Sequence, residues 1–277
     1  MLQIISLLFR ISRPRFWLYT AGPYLLGTLA VIHRPTNISW QTVALFVFFL
    51  FPANLLIYGV NDVYDYETDK HNPKKAGYER LMVPESRLLF AIYTGMVLAP
   101  FIFLLPLLSS NTLLSLAGFF FFSIFYSAPP IRAKARPVLD MSFNVLYVFP
   151  GIAAYWVAGG IHLSPPIIIA ATFWCMAMHA FSAIPDIEAD RAAHLSTVAT
   201  LLGLNPTLVL CTILYSISGL LVFPTLGATA LVLGGAYASL MALSWRAPAN
   251  LFSIYRLFPY LNGLAGMLIT LTLLLNR

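Results

Sequence analysis

The sequence predicts an all-α, polytopic membrane protein with about nine transmembrane helices, from its hydropathy and from the number and placement of its charges. Of its 277 residues, 60% are hydrophobic and only 9% are charged, whereas soluble domains carry roughly 25% charged residues. Three long stretches, 88–131, 141–185 and 192–245, contain no Asp, Glu, Lys or Arg. Because a helix that crosses a bilayer needs about 20 apolar residues, such stretches are typical of membrane spans and exclude an ordinary soluble domain.

The predicted spans follow one another along a single domain that covers residues 1–277. Apolar runs between turn-forming residues predict spans at 15–32, 42–60, 88–107, 112–128, 141–159, 165–184, 206–223, 226–244 and 257–275. Short breaks such as Ser109-Ser110-Asn111 and Gly159-Gly160 divide neighbouring spans. Cys175 and Cys211 both lie within apolar runs, which favours buried thiols over a disulfide or a metal site.

The charges in the loops predict how the protein is oriented in the cell membrane. Every one of the 16 Lys and Arg residues except Arg34 and Arg277 falls on the side of the N-terminus, and so do all 10 Asp and Glu residues. Basic loops of membrane proteins face the cytoplasm. We therefore predict a multi-pass integral membrane protein with its N-terminus and active site on the cytoplasmic side. The net charge of +6 is spread over loops between spans, so it predicts a lipid bilayer as partner and no nucleic acid.

An acidic cluster follows span two. If the helix of this span continues through the cluster, Asp62, Asp65 and Asp69 lie within about 80° of one another, and Asn61 lies near Asp65 on the same face. Three converging carboxylates repel one another and are costly to desolvate beside a membrane. A divalent cation removes this cost, and Mg²⁺ prefers oxygen ligands together with substrate phosphates. The cluster therefore predicts a Mg²⁺ site.

A second acidic cluster follows span six. Asp186 and Asp190 are four residues apart and share a helix face, whereas Glu188 points to the opposite side. Either cluster alone is also compatible with an acidic loop beside the membrane. Two clusters at matching span ends favour a functional site, because carboxylates at a membrane boundary are costly to keep there. We therefore predict that Asp186 and Asp190 form a second pair of metal ligands.

Basic residues complement the two clusters. Lys70 and Lys74 follow the first cluster, while Arg132 and Lys134 follow span four in a loop that contains prolines. A diphosphate bridged to carboxylates by Mg²⁺ needs cations for its remaining oxygens, and these side chains supply them. The alternative is that the bases only orient the protein in the membrane.

Three further polar residues lie at or near span ends. Arg13 opens span one, where it is either a membrane anchor or a ligand for the substrate. Asp140 precedes span five and is interpreted as a helix cap. His179 lies about two turns before Asp186, which favours a polar contact within the fold.

The order and spacing of these motifs resemble the UbiA superfamily of intramembrane prenyltransferases. The resemblance rests on Asn61-Asp62-x-x-Asp65-x-x-x-Asp69, on Asp186-x-x-x-Asp190, and on Tyr126-Ser127 with Pro129, Arg132 and Lys134. It implies helices around a central cavity with a cytoplasmic cap. It also implies that the protein uses Mg²⁺ to transfer a prenyl group from a prenyl diphosphate to a lipophilic acceptor within the membrane.

The same resemblance implies roles for individual residues. The residues implied to bind Mg²⁺ and the diphosphate are Asn61, Asp65, Asp69, Asp186 and Asp190, and Asp62 lies close by. Lys134 and Arg132, together with a base after Asp69, neutralise the leaving group. The predicted substrate-binding set also includes Tyr126, Lys70, Lys74 and Arg13.

A narrower resemblance concerns the acceptor. The segments 12–19, 58–65 and 72–75 resemble the carotenoid-elongating branch of the superfamily, the lycopene elongase type. This branch implies a carotenoid such as lycopene as acceptor and dimethylallyl diphosphate as donor. The alternatives are an aromatic acceptor, of the quinone or porphyrin type, and an ion-coupled transporter. Transport is disfavoured because the acidic residues lie at span ends and not near the bilayer midplane.

Overall fold

The computed structural model describes residues 2–69 and 87–276, and in these ranges it contains helices and turns but no β-strand. The all-α prediction is therefore confirmed. For residues 2, 3 and 67–69 only the backbone is described, and the predicted bases Lys70 and Lys74 lie outside the described residues. The α-helices, numbered in chain order, are α1 (Leu2–Ile11), α2 (Leu18–Leu29), α3 (Trp40–Leu50), α4 (Pro52–Asp69), α5 (Arg87–Leu98), α6 (Ser110–Ser127), α7 (Leu139–Ser142), α8 (Phe149–Val157), α9 (Pro165–Ala183), α10 (Ile187–Ala192), α11 (Val198–Leu202), α12 (Leu204–Leu226), α13 (Ala228–Arg246) and α14 (Leu251–Leu275).

Most of the predicted spans are long apolar helices. Within residues 2–69 and 87–276, seven helical runs are long and apolar enough to cross a membrane, namely Trp40–Tyr66, Arg87–Leu107, Ser110–Ser127, Pro165–Ala192, Leu204–Leu226, Ala228–Arg246 and Pro248–Leu275. The predicted first and fifth spans are instead divided. Span one contains a 3₁₀ turn at Pro14–Phe16 before α2, and span five consists of α7, a 3₁₀ segment at Phe143–Tyr147 and α8. The predicted number of nine spans is thus not confirmed.

The backbone divides into two compact units. The first comprises Met1–Arg132 and Phe149–Ile161, and the second comprises Ala133–Val148 and His162–Arg277. The first unit carries α4 and the first acidic cluster, while the second carries α9, α10 and the second cluster. The single domain expected over residues 1–277 stays a prediction.

A buried polar network in the first unit positions the start of α4. Pro52 lacks an N–H group, so the helical ladder is interrupted between α3 and α4 and the carbonyls that end α3 need other donors. The Asn54 side chain donates to the carbonyl oxygens of Phe49 and Leu50, each at 3.0 Å. It also donates to the Thr20 hydroxyl at 2.6 Å, which in turn donates to the Phe49 carbonyl at 2.6 Å. This network ties α2, α3 and α4 together. From there α4 continues to Asp69, which confirms the predicted helical continuation through the first cluster.

The second unit is organised around α9, α12 and α13. The Ser218 hydroxyl donates to the Ala170 carbonyl at 2.8 Å, which links α12 to α9. The rings of Tyr215 and Tyr237 stack with their centroids 4.5 Å apart, and the Tyr237 hydroxyl donates to Asn262 at 2.8 Å. Cys175 and Cys211 are buried and form no disulfide, as the sequence predicted.

Two glycines in the first unit permit a close approach of α2 and α8. A Cβ atom added at Gly27 would overlap the carbonyl oxygen of Gly151. We therefore expect Gly27→Ala to push the helices apart and to lower the unfolding free energy by about 1–3 kcal/mol. The effect is measured as a lower melting temperature of the detergent-solubilised protein. The matched control is Gly95→Ala, because within the described ranges a Cβ atom there meets nothing within 4 Å beyond the backbone of its own helix. Equal melting temperatures for the two variants would contradict the prediction.

Candidate active site

Ser127, at the end of α6, connects two residues of the first acidic cluster. The Asn61 side-chain nitrogen donates to the Ser127 hydroxyl at 3.3 Å, and this hydroxyl donates to Asp65 Oδ2 at 3.0 Å. Asp65 is fully buried and Asp62 is 4% exposed. Since Asn61 directs its nitrogen towards Ser127, its amide oxygen remains for another partner. Sequence reasoning did not assign Ser127 a role, although it lies next to Tyr126 in the quoted motif and is a polar residue at the mouth of an apolar span.

The donor set of the first cluster fits Mg²⁺. Two carboxylates and an amide oxygen on one helix are the hard oxygen ligands that this cation binds. Among the side chains that the structure describes, no three His, Cys, Asp or Glu are grouped closely enough to hold a metal ion. The predicted set also needs Asp69, which ends α4 and for which only the backbone is described.

Asp62 lies in an ion pair with Arg13. The Arg13 guanidinium donates to Asp62 Oδ1 at 2.6 Å, and the two side chains are 12% and 3% exposed. The same guanidinium lies over the ring of Tyr58, 4.7 Å from its centroid, a geometry that favours a cation. Arg13 adopts a left-handed backbone conformation with φ of 50°, which is unusual for a residue other than glycine. Arg13 is therefore positioned inside the fold beside the first cluster.

The second cluster lies where α9 passes into α10. Asp186 ends a 3₁₀ turn, Ile184–Asp186, and Asp190 lies in α10. Both are partly buried, whereas Glu188 is exposed. The turn after α10 is fixed by a hydrogen bond of 2.8 Å from the Leu195 N–H to the Asp190 carbonyl oxygen. Asp186 thus lies on 3₁₀ backbone and Asp190 on α-helical backbone, and the predicted common helix face stays a prediction.

The predicted basic residues of the loop after α6 are both described. Arg132 has a positive φ of 45°, and its N–H donates to the Ala128 carbonyl at 3.0 Å. Lys134 lies in a 3₁₀ turn and is partly buried. Arg132 ends the main segment of the first unit, and Lys134 belongs to the second.

Comparison with known proteins decides the family. The sequence signature of the UbiA prenyltransferase family matches residues 20–258. The chain belongs to the UbiA prenyltransferase family. The protein is thus a prenyltransferase embedded in the membrane, as the motifs predicted, and family membership speaks against the transporter alternative.

Relatives match this UbiA prenyltransferase over nearly its whole length. The lycopene elongase/hydratase of Halobacterium salinarum is 40% identical over 275 residues, which cover 95% of each chain. The lycopene elongase/hydratase of Haloferax volcanii is 39% identical over 268 residues, covering 94% of this chain and 86% of its own. A solved structure of a UbiA homologue from Archaeoglobus fulgidus, bound to DMAPP and Mg²⁺, superimposes with a TM-score of 0.74 at 21% identity, over 96% of this chain and 97% of that one. At this identity the structural likeness establishes the shared fold.

Each compact unit of this UbiA prenyltransferase therefore holds part of the predicted site. The first unit brings together Asn61, Asp62 and Asp65, with Arg13 paired to Asp62. Tyr126 is partly buried in the last turn of α6, next to Ser127. The second unit carries Asp186, Asp190 and Lys134.

Proposed function

We propose that this protein transfers the prenyl group of dimethylallyl diphosphate, in the presence of Mg²⁺, to a carotenoid such as lycopene. The observation that carries the proposal is the 40% identity to a lycopene elongase/hydratase over 95% of both chains. The donor and the cation are those bound to the Archaeoglobus fulgidus homologue with the same fold.

The residues proposed to bind Mg²⁺ come from both clusters. They are Asn61, Asp65, Asp69, Asp186 and Asp190, with Asp62 beside the first three. When bound, Mg²⁺ supplies positive charge that neutralises the diphosphate as it leaves. The Ser127 hydroxyl bonds Asp65 and accepts from Asn61, so it holds both side chains in orientation before the cation arrives.

Basic and polar side chains are proposed to bind the diphosphate. Lys134 and Arg132 are partly buried, which strengthens their attraction to phosphate oxygens relative to exposed bases. Lys70 and Lys74 follow the first cluster in sequence and serve the same purpose. Tyr126 offers a hydroxyl donor. Arg13 adds positive charge beside Asp62.

The proposed reaction exchanges one bond for another. Heterolysis of the allylic C–O bond releases diphosphate and leaves an allylic cation. The π electrons of an acceptor alkene form a new C–C bond to this cation, which moves the positive charge to the neighbouring acceptor carbon. Loss of a proton then restores an alkene, or addition of water followed by loss of a proton gives an alcohol. Apolar surroundings exclude bulk water from the first cation.

We also propose that the N-terminus and both aspartate clusters lie on the cytoplasmic side. The support is the distribution of charge, since Arg34 and Arg277 are the two bases that the predicted topology leaves outside. A single functional domain over residues 1–277 belongs to the same proposal.

Product formation by the purified protein in lipid nanodiscs tests the function. We expect lycopene, dimethylallyl diphosphate and Mg²⁺ to give inorganic diphosphate and a carotenoid with one added five-carbon unit. This product is either an alkene or the corresponding hydrated alcohol. Chelation of Mg²⁺ by EDTA is expected to abolish both products, because the diphosphate loses its counter-charge. Mass spectrometry identifies the carotenoid, and a coupled assay follows the diphosphate.

Two results would contradict the proposal in different ways. If quinone or porphyrin precursors are prenylated and lycopene is not, the acceptor is of the aromatic type. The protein would then still be a prenyltransferase. Failure to cleave any prenyl diphosphate, at any Mg²⁺ concentration, would overturn the proposed reaction itself.

A further inference from the structure

Asp140 is a buried carboxylate in the second unit, outside both aspartate clusters. It is fully buried in α7, and its Oδ2 accepts a hydrogen bond of 2.9 Å from the Val198 N–H. The same oxygen lies 3.9 Å from His179 Nε2 on α9. A buried carboxylate that contacts two other elements indicates a specific role.

The interpretation of Asp140 as a cap for span five is incomplete, because its carboxylate contacts the start of another helix. Val198 is the first residue of α11, and the four first N–H groups of a helix need acceptors from outside it. Thr197 and Thr200 form a capping box there and satisfy one of these groups. Asp140 satisfies another with a charge-assisted hydrogen bond, which is roughly twice as strong as a neutral one.

Helix α11 is in turn connected to α10, which carries Asp190. The Arg191 guanidinium donates to the Thr200 carbonyl at 3.1 Å, and the Leu195 N–H donates to the Asp190 carbonyl at 2.8 Å. The Arg191 bond therefore links the two short helices directly. Each also adjoins a long helix, because α10 follows α9 through the 3₁₀ turn Ile184–Asp186 and α11 is followed by α12. The contact of Asp140 at the start of α11 thus adds, through Thr200 and Arg191, to what holds α10 and Asp190.

Asp140 also connects this pair of helices to the basic loop. Its own N–H donates to the Arg136 carbonyl at 2.9 Å, two residues after Lys134. Its carbonyl accepts from the Asn144 side chain at 2.9 Å. These two bonds involve main-chain atoms of Asp140 and do not depend on its carboxylate, which bonds the start of α11.

We propose that Asp140 is a positioning residue for prenyl transfer, whose carboxylate helps to hold Asp190 through α11 and α10. This inference rests on the proposed function. Asp140 touches neither substrate nor cation in this role. Groups that bond a metal ligand directly change metal affinity or activity by about 10- to 100-fold, and we expect the indirect contact of Asp140 to act at the lower end of this range.

Two substitutions test the role. Asp140→Ala removes the acceptor for the Val198 N–H, whereas Asp140→Asn keeps a weaker, neutral one. We expect Asp140→Ala to raise the Mg²⁺ concentration for half-maximal diphosphate release by about tenfold, and Asp140→Asn to raise it by about threefold. Hydrogen exchange of amides 190–203, measured without Mg²⁺ or substrate, is expected to become faster in the same order. If the Ala variant does not fold, the Asn variant decides by itself.

The matched control is Tyr24→Phe, which removes a buried hydroxyl that donates to the Thr42 carbonyl and lies outside both clusters. We expect it to lower thermal stability without changing the Mg²⁺ requirement or the exchange of amides 190–203. Wild-type exchange and wild-type Mg²⁺ dependence in both Asp140 variants, or equal shifts in Tyr24→Phe, would overturn the proposal. Hydrogen exchange needs no turnover, so it tests the role of Asp140 even if the wild-type protein cleaves no prenyl diphosphate. Absence of that cleavage would count against the proposed function and not against the role of Asp140.

Discussion

Replacing Asp65 by Asn is expected to lower the turnover of prenyl transfer by about 1,000-fold while the protein still folds. Asp65 is fully buried and accepts a hydrogen bond from Ser127. Asn keeps an oxygen that accepts this bond, so the packing around α4 is preserved. It lacks the negative charge that a divalent cation requires. The turnover is measured with dimethylallyl diphosphate and lycopene at saturating Mg²⁺, and the melting temperature is measured in parallel.

The matched control for Asp65 is Glu188→Gln. It also exchanges a carboxylate for an amide beside an aspartate cluster, but Glu188 is exposed. We expect its turnover to stay within about twofold of the wild type, as is usual for surface positions. Wild-type turnover in Asp65→Asn would remove Asp65 from the proposed metal-binding set. If Asp65→Asn and Glu188→Gln lose turnover equally, the loss reflects the removal of a negative charge in general and not the loss of a specific metal ligand.

Replacing Arg13 by Ala is expected to destabilise the protein by about 3 kcal/mol and to lower turnover as well. Arg13 and Asp62 are 12% and 3% exposed, and removing one partner of a buried ion pair leaves the other charge in a medium that solvates it poorly. The substitution also removes the guanidinium from the face of Tyr58. The melting temperature in detergent and the Michaelis constant for the donor are the two measurements.

A double-mutant cycle measures the interaction energy between Arg13 and Asp62 separately from their contacts with other residues. We expect Arg13→Ala combined with Asp62→Asn to be less destabilising than the sum of the single changes, by about 1–3 kcal/mol. Arg15→Ala is the control, because Arg15 is an exposed arginine in the same turn, and a small change is expected there. Strictly additive effects would contradict the ion pair as a stabilising unit. A change confined to the Michaelis constant would instead assign Arg13 to the donor alone.

Local features of the chain were sufficient to predict the helical membrane fold. Long runs without charge have few stable alternatives to a helix in a bilayer, because each backbone polar group must be bonded within its own segment. The extension of α4 through Asp62 and Asp65 was predictable for a similar reason, since no Pro or Gly interrupts the chain between Val60 and Asp69. Helical periodicity was sufficient for the prediction that Asp186 and Asp190, which are four residues apart, share a helix face.

Other local predictions were incomplete. Span five is uncharged throughout, yet it contains a 3₁₀ segment between α7 and α8. Hydropathy measures how a segment partitions into the bilayer and carries little information on where its helix breaks. The interpretation of Asp140 had the same limit, because the residue before a predicted span is expected to cap that span.

Side-chain pairing at the site depended on tertiary packing. Arg13 and Asp62 are 49 residues apart, Ser127 and Asp65 are 62 apart, and Asp140 and Val198 are 58 apart. Periodicity assigns a residue to a helix face, but it does not state which distant helix covers that face. Composition and spacing therefore predicted which aspartates and bases form the site. Their partners follow from helix packing, because a buried polar group must bond to whatever the neighbouring helices bring within about 3 Å.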